Sequence, residues 1–208
     1  VAIAAGLAAG ALVGLMAGWN QWGMTIPRPE LVALPIAAGL VFLVGLVDDL
    51  FGVTPGKKFI VEFLAAWLLV RVGWSFTELN LPFVGEVHLG MWGGLVSLLW
   101  VVGVTNAINL IDGLDGLSTG VSLIAAVTLG IVSITVTPVD PLVGLLCMVL
   151  AGSLAGFLPW NFHPAKVFIG TTGVYAVGFA LAVLSILGTA KIAVALLVAG
   201  AIVHVVGE

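Results

Sequence analysis

Hydrophobic residues in this chain occur in long uninterrupted blocks, separated by short segments that are polar or rich in glycine and proline. Most blocks are roughly 18 to 20 residues long, about the length that a helix needs to cross a hydrocarbon core of ~30 Å. Bounding each block by its charged or turn-forming neighbours predicts about eight transmembrane helices. They run near residues 1–18, 31–48, 59–73, 93–108, 117–137, 141–158, 173–188 and 191–206.

Between the third and fourth predicted helices, residues 75–92 break this pattern. Short apolar runs are interrupted there by Glu78, Pro82, Gly85, Glu86 and His88. Glycine and acidic residues between short apolar runs are typical of a hairpin. We therefore expect an all-α membrane helix bundle that carries one extramembrane hairpin.

Composition agrees with a membrane protein. The chain is 62% hydrophobic and only 8% charged, whereas soluble domains carry about 25% charged residues. Its 28 glycines fit helices that associate through small residues. The block pattern leaves no soluble domain, so residues 1–208 are interpreted as one integral membrane domain.

Charge and cysteine usage exclude some classes of function. The net charge is -4 and no basic run is present, which argues against a nucleic-acid partner. Cys147 is the single cysteine and cannot form an intrachain disulfide, so it is interpreted as apolar filler. The chain begins at Val1 without methionine and without a signal-peptide pattern, and we interpret it as a fragment.

Three polar clusters stand at the ends of predicted helices. They are Asp48-Asp49, residues 106–115 and residues 161–173. Two membrane crossings separate each cluster from the next, so all three are predicted to face the same side. The positive-inside rule leaves that side open, because three basic residues fall on each side: Lys57, Lys58 and Lys166 against Arg28, Arg71 and Lys191.

The first cluster places two adjacent carboxylates at a helix end, followed by Lys57 and Lys58. Such carboxylates are either solvated in a loop or bound to a cation, and this cluster alone leaves both interpretations open. Glu62 follows Lys58 by one helical turn. This spacing predicts an ion pair between these two side chains.

The second cluster is the densest in polar side chains. Two amides and two carboxylates stand within ten positions, at Asn106, Asn109, Asp112 and Asp115. Gly113 and Gly116 are predicted to end the helix and to let backbone approach a ligand. Amide and carboxylate side chains supply the donors and acceptors that read a nucleobase or a ribose. The alternative is a plain polar turn between two helices.

The third cluster mixes aromatic, amide, imidazole and ammonium groups. Trp160 and Phe162 are interpreted as interfacial anchors, and Lys166 as a lysine that extends to the headgroups. Asn161 and the glycine-containing turn at residues 170–173 are stronger candidates for phosphate contact, because such turns present backbone N–H groups to anions.

Carboxylates, amides and lysines on one membrane face suit phosphoryl transfer. Several carboxylates that face water favour Mg²⁺, which is commonly shared with substrate phosphates. The metal and a lysine then spread the charge that develops during transfer. A site embedded in a membrane indicates that one reactant is a lipid.

These motifs resemble the polyprenyl-phosphate N-acetylhexosamine-1-phosphate transferases. The similarity runs through nearly the whole chain, because Asp48-Asp49, residues 106–117 and residues 161–165 occur in the family's order and spacing. The His163-Pro164-Ala165 segment looks more like the branch that uses UDP-N-acetylglucosamine than the branch that uses UDP-MurNAc-pentapeptide.

The resemblance implies a Mg²⁺-dependent attack of polyprenyl phosphate on the β-phosphate of a UDP-sugar, with release of UMP. It further implies a bacterial inner membrane, an active site that faces the cytoplasm, and a role in cell-wall or surface-polymer synthesis. A homodimer is compatible with this class.

Roles carry over from the family by position. Asp48 and Asp49 would serve the metal, with Asp48 a candidate base, while Lys58 would neutralise phosphate and Asn161 would lie near the diphosphate. The remaining candidates would contact substrate: Asn106, Asn109, Asp112, Asp115, His163, Gly170 and Thr172.

The chain departs from the family's pattern at Thr171, where the family carries an aspartate that binds the metal. A neutral hydroxyl is a poorer Mg²⁺ ligand than a carboxylate. The family's first span and its histidine-rich loop also have no counterpart in these 208 residues. The alternative function is therefore a homologue that binds nucleotide sugar or lipid without turnover. A transporter ranks last, because the acids stand at helix ends rather than in mid-span.

Overall fold

The computed structural model describes residues 28–81, 85–135 and 141–187. Within those ranges the chain forms six α-helices, one β-hairpin and a 3-10 turn. In chain order they are α1 (Arg28–Phe51), α2 (Pro55–Arg71), β1 (Glu78–Leu81), β2 (Gly85–His88), the 3-10 turn Gly90–Trp92, α3 (Gly93–Leu110), α4 (Leu117–Thr135), α5 (Pro141–Asn161) and α6 (Gly170–Leu187).

Helix α6 is the centre of the bundle. Most of its residues are buried, and it packs against α1, α3, α4 and α5. Helices α4 and α5 form a second closely packed pair, and α2 lies against both α1 and α3. A helix that is hydrophobic on all sides is expected at such a central position.

Five of these helices are long and apolar enough to cross a membrane: Val32–Phe51, Gly90–Leu110, Leu117–Thr135, Val143–Asn161 and Gly170–Leu187. The chain is thus a multi-pass membrane protein. The predicted count of eight spans is not confirmed. The first and last predicted spans, at residues 1–18 and 191–206, lie outside the described residues. The third corresponds to α2, which has only 17 residues and is not among the five.

Although it is short, α2 runs from one end of the bundle to the other. It is about 26 Å long at 1.5 Å per residue, and the chain after it docks onto the start of α3. There the Phe76 N–H donates to the Ser97 hydroxyl at 2.7 Å, and the Phe76 ring meets the edge of Trp100 with centroids 6.1 Å apart. The direction of the chain therefore reverses between α2 and α3.

The predicted hairpin at residues 75–92 is confirmed. Strands β1 and β2 pair antiparallel, with Glu78 opposite His88 and Leu81 opposite Gly85. The His88 ring lies 3.3 Å from the Glu78 carboxylate. Both residues are at the end of the bundle remote from Asp48.

Helix ends differ from the predicted boundaries at the polar clusters. Helix α1 continues through Asp48 and Asp49 to Phe51, and α3 includes both Asn106 and Asn109. Side chains of a last helical turn can reach solvent without ending the helix, so a polar residue alone does not mark a boundary.

The closest approach between α1 and α6 depends on Gly45. A Cβ atom at this position would lie 2.7 Å from the Cα of Thr172, a distance that requires one of the helices to move. Small residues permit such close helix contact in membrane proteins. This contact holds the end of α1, with its two carboxylates, against the beginning of α6.

Candidate functional site

The three polar clusters lie at one end of the helix bundle, as the count of crossings predicts. Helices α1, α3 and α5 end there, and α2, α4 and α6 begin there. Asp49 bonds to residues at the start of α6, which joins the first cluster to the third. Asp115 bonds to Ala165 and so joins the second cluster to the third.

Asp48 is the centre of a charged pair. Its Oδ1 accepts the backbone N–H of Val53 at 2.7 Å, and its Oδ2 accepts the ammonium of Lys58 at 3.0 Å. Both side chains are mostly buried, at 16% exposure for Lys58 and 13% for Asp48. The Lys58 ammonium also lies 5.8 Å from the ring centroid of Tyr175. A carboxylate and an ammonium are therefore held together where an apolar bundle ends.

Asp49 caps the beginning of α6. Its Oδ1 accepts the N–H of Thr171 at 2.8 Å, and its Oδ2 accepts the N–H of Thr172 at 2.9 Å together with the Thr172 hydroxyl. The first N–H groups of a helix have no partner within the helix, so a carboxylate from α1 satisfies two of them. Gly170 starts this helix with φ near +69°, a left-handed conformation that favours glycine.

Thr171 is next to the two carboxylates: its backbone N–H donates to Asp49 at 2.8 Å, and its side chain lies near both Asp48 and Asp49. Among the described residues there is no group of three or more His, Cys, Asp or Glu side chains that could hold a metal ion. A carboxylate has about four lone-pair sites, so these two retain some that their protein donors do not use. This donor set fits Mg²⁺ in the arrangement where one or two carboxylates share the ion with substrate phosphates.

The loop after α3 is held to the loop after α5 by Asp115. Its Oδ2 accepts the N–H of Ala165 at 3.0 Å and lies 3.1 Å from the Nδ1 of His163. The hydrogen bond from Ala165 holds the pKa of Asp115 below its ordinary value, and the nearby His163 adds to this lowering. The His163 side chain is itself 80% exposed and so is open to a ligand.

Asp112 sits deeper in the same loop. Its Oδ1 accepts the hydroxyl of Ser118, while no hydrogen bond to its Oδ2 is found among the described residues. Burial raises the pKa of the Asp112 carboxyl, and the hydrogen bond from Ser118 opposes this rise. Asn109 is half-buried in the last turn of α3, just before the loop. Asp112 therefore keeps a free carboxyl oxygen for a ligand.

Asn161, predicted to lie near the diphosphate, is the last residue of α5. It is only 3% exposed. Its Oδ1 accepts the Thr119 hydroxyl at 2.6 Å, and its Nδ2 donates to the carbonyl of Val167 at 3.1 Å. Both ends of the amide are thus engaged within the protein. In this structure Asn161 positions the loop between α5 and α6, and Thr119, which sequence reasoning missed, is its partner.

The predicted ion pair between Lys58 and Glu62 is wrong. Lys58 pairs with Asp48, whereas Glu62 is 1% exposed and its Oε2 accepts the side-chain amide of Asn106. Spacing by one turn permits the pair, but the contact between α2 and α3 directs Glu62 inward. Asn106, predicted to bind substrate, also donates to the carbonyl of Val102 at 2.9 Å, so its amide is engaged between helices.

Tyr175 is a further residue that sequence reasoning missed. It is 1% exposed on α6 and lies between Lys58 and Glu62. A signal for it exists in the sequence, because it is the only tyrosine in the chain and stands in an apolar helix. A buried phenol usually requires a polar partner.

Fold and site together define a multi-pass helical membrane protein with carboxylates, a paired lysine and a helix N-terminus gathered at one end of the bundle. Residues 31–189 match the profile of glycosyl transferase family 4, and the match covers most of the chain. The chain belongs to this family.

Individual relatives agree with that assignment. A protein of Bacillus subtilis named probable undecaprenyl-phosphate N-acetylglucosaminyl 1-phosphate transferase is 36% identical over 180 residues, which are 86% of this chain and 49% of the relative. A phospho-N-acetylmuramoyl-pentapeptide-transferase of Clostridium perfringens is 36% identical over 168 residues, 76% of this chain and 51% of the relative. One of the same name from Listeria welshimeri is 37% identical over 165 residues, 73% of this chain and 50% of the relative. The chain spans about half the length of the curated relatives it matches.

Proposed function

We propose that this protein transfers a phospho-N-acetylhexosamine from a UDP-sugar to polyprenyl phosphate and releases UMP. The observation that carries the proposal is the pair of Asp48 and Lys58, held beside the N-terminus of α6 where an apolar bundle ends. A lipid phosphate and a water-soluble nucleotide can meet only at such a boundary. The names of the relatives support transfer of a phosphosugar, and one of them names undecaprenyl phosphate.

In the proposed reaction an oxygen of the lipid phosphate attacks the β-phosphorus of the UDP-sugar, and the bond from that phosphorus to the UMP oxygen breaks. Asp48 accepts the proton of a singly protonated lipid phosphate, so that the attacking oxygen carries full negative charge. Lys58 leaves its pair with Asp48 and donates to a phosphate oxygen. This exchange leaves the Asp48 carboxylate free to accept the proton, because a substrate phosphate becomes the new partner of the Lys58 ammonium.

A Mg²⁺ ion would be held by Asp48 and Asp49, with the Thr171 hydroxyl beside it. Such an ion supplies charge neutralisation for the diphosphate and the leaving UMP. Asp49 in addition keeps the end of α1 fixed against α6 through its bonds to Thr171 and Thr172. Neither the fold nor the relatives favour the alternative of a homologue that binds without turnover.

Asp112 and Asn109 would recognise the nucleotide. Asp112 has a free carboxyl oxygen in a half-buried loop, and half-buried acceptors can read the hydroxyl or N–H groups of a uridine. His163, exposed beside Asp115, would contact the sugar phosphate. We assign the sugar to GlcNAc from the His163-Pro164-Ala165 segment, and the site to the cytoplasmic face of a bacterial inner membrane.

The nucleotide site is tested by Asp112→Ala. The affinity of the purified protein for UDP should fall about tenfold or more. The variant lacks the half-buried carboxylate that would accept a hydrogen bond from UDP. Glu78→Ala is the matched control, since Glu78 is an acid on the hairpin at the other end of the bundle, and it should bind UDP like the parent. Unchanged UDP affinity in Asp112→Ala would show that the loop after α3 is not the nucleotide site. Competition between UDP-GlcNAc and UDP-MurNAc-pentapeptide then identifies the sugar.

A further inference from the structure

Two carboxyl groups are candidates to pair with the Lys58 ammonium. One is Asp48 at the end of α1, whose Oδ2 accepts the ammonium at 3.0 Å. The other is Glu62, which follows Lys58 by one turn of α2, the spacing at which an acid and a lysine on one helix meet. Within the described part of the chain, Lys58 forms an ion pair with Asp48 alone. Local spacing does not explain this choice, so another group must direct the ammonium.

The surroundings of Glu62 favour a pair with an ammonium. Its side chain is buried, and its Oε2 accepts the amide of Asn106. No hydrogen bond to its Oε1 is found among the described residues. A buried carboxyl oxygen without a partner costs free energy, which an approaching ammonium would recover. Asp48, in contrast, already accepts the backbone N–H of Val53. Glu62 is therefore a competitor for Lys58 and not a neutral neighbour.

Tyr175 lies between the lysine and this competitor. It is buried on α6, its ring centroid is 5.8 Å from the Lys58 ammonium, and its side chain lies near Glu62. A cation within about 6 Å of an aromatic ring is attracted to the face of that ring. The ring thus gives the ammonium a favourable contact and occupies the space on the side of Glu62.

We propose that Tyr175 is a positioning residue, whose ring keeps the Lys58 ammonium on its partner carboxylate and away from Glu62. The inference rests on the proposed function and adds to it a residue outside the three polar clusters. In the proposed reaction Lys58 leaves Asp48 for a substrate phosphate. At that step Glu62 would capture the ammonium if the ring did not separate them.

Solid-state NMR tests the pairing directly. The full-length protein is studied in lipid bilayers, with ¹⁵N in its lysine ammonium groups and ¹³C in the carboxyl groups of either aspartate or glutamate. Dipolar coupling then reports which type of carboxyl carbon lies beside the nitrogen, and Lys58→Gln identifies the Lys58 signal. We expect the Lys58 nitrogen of the parent to couple to aspartate. In Tyr175→Leu the coupling should move to glutamate.

UMP release provides a second readout. Tyr175→Leu should lower kcat about tenfold, the scale of one desolvated cation–π contact. Tyr175→Phe should lose less, because it keeps the ring. Adding Glu62→Gln to Tyr175→Leu should restore most of the lost activity and return the coupling to aspartate. Glutamine keeps an acceptor oxygen for Asn106 but carries no charge that attracts an ammonium. A loss of packing alone would not be repaired in this way.

The matched control is Phe179→Leu. Phe179 is a buried aromatic residue one turn further along α6, so this variant also removes a ring from the core of the same helix. It should leave the coupling to aspartate in place. Thermal unfolding establishes that each variant is folded. Tyr175→Met, whose flexible side chain fills more of the space left by the ring, takes the place of Tyr175→Leu if that variant does not fold.

The outcomes separate this inference from the proposed function. Coupling that stays at aspartate in Tyr175→Leu, or that is already at glutamate in the parent, would overturn the positioning role and leave the transferase intact. Coupling lost from aspartate and not gained at glutamate would overturn Glu62 as the competitor, as would equal UMP release by Tyr175→Leu and the double variant. A shift to glutamate in a protein whose parent releases no UMP would support the positioning of Lys58 and contradict the transferase.

Discussion

At the scale of single residues, the carboxylates of this site differ in what holds them. Asp48 faces an ammonium, Asp49 faces the N-terminus of a helix, and Asp115 faces a backbone N–H and an imidazole. Asp112 has only a hydroxyl partner and is the most free to receive a ligand. Four acids of one chemical type thus have four different sets of protein partners.

Asp115 gives a testable pH dependence. Its pKa is lowered in the folded protein, chiefly by the Ala165 N–H, so it stabilises the fold at pH values above the ordinary aspartate pKa of about 3.9. This stabilisation is lost as the pH falls through the lowered folded-state value. We expect the parent to unfold at a higher temperature than Asp115→Asn at about pH 5, and the difference to shrink as the pH is lowered towards about 3.

Thermal unfolding in detergent micelles, followed for both proteins over that pH range, measures this effect. Asp115→Asn retains an acceptor oxygen but has no charge to titrate, so it isolates the carboxylate. If the difference in unfolding temperature stayed constant with pH, an ionised Asp115 would not be the group that links the loop after α3 to the loop after α5.

Residue pairings were the least predictable part of the site. From the sequence, Lys58 could pair with Glu62 one turn later, yet it pairs with Asp48. Asn161 was expected near the diphosphate, and its buried hydrogen bond with Thr119 was not foreseen. In both cases the partner depends on how a helix is rotated about its axis, which is set by packing against other helices and not by local spacing.

At the scale of helices, the organisation of the site follows from the alternation of chain direction. Because successive helices reverse direction, every second connection lies at the same end, and this parity can be counted in the sequence. The gathering of Asp48, Asp112 and Asn161 at one end was predictable for this reason. Helix boundaries were not, since α1 and α3 retain their polar last turns.

The contact between α1 and α6 is expected to be sensitive to one methyl group. Gly45→Ala places a Cβ where only 2.7 Å separates it from the Cα of Thr172. The helices must separate, at a cost of about 1–3 kcal/mol, and the carboxylates of α1 move away from α6. We expect a lower unfolding temperature and weaker Asp49 capping, measured by faster amide exchange at Thr171 and Thr172.

The matched control for this prediction is Gly39→Ala in the same helix. A Cβ at Gly39 would meet nothing within 4 Å, so this variant should unfold like the parent or at a slightly higher temperature, because alanine is the better helix former. Equal unfolding temperatures for both variants would refute a close contact between α1 and α6 at Gly45.

At the scale of the whole molecule, the bundle places polar side chains at the end of an apolar outer surface. Helix α6 is buried at the centre, whereas α1 and α2 present apolar surface outward. Asp48 in the last turns of α1 pairs with Lys58 in the first turn of α2. The sequence predicted the membrane class, the hairpin and the shared end of the polar clusters. The close contact between α1 and α6 at Gly45 could not be predicted, because it depends on the angle and spacing between two helices.

The most direct measurement of the central claim is UMP release from UDP-GlcNAc in the presence of polyprenyl phosphate and Mg²⁺. The parent is compared with Asp48→Asn, and Glu78→Gln on the remote hairpin serves as the control. We expect UMP release that requires the lipid phosphate and is unchanged in the control. Release should fall about 100-fold or more in Asp48→Asn, the scale of general acid–base catalysis. Equal release by the parent and Asp48→Asn, or none from a folded parent that binds both substrates, would contradict the proposed reaction.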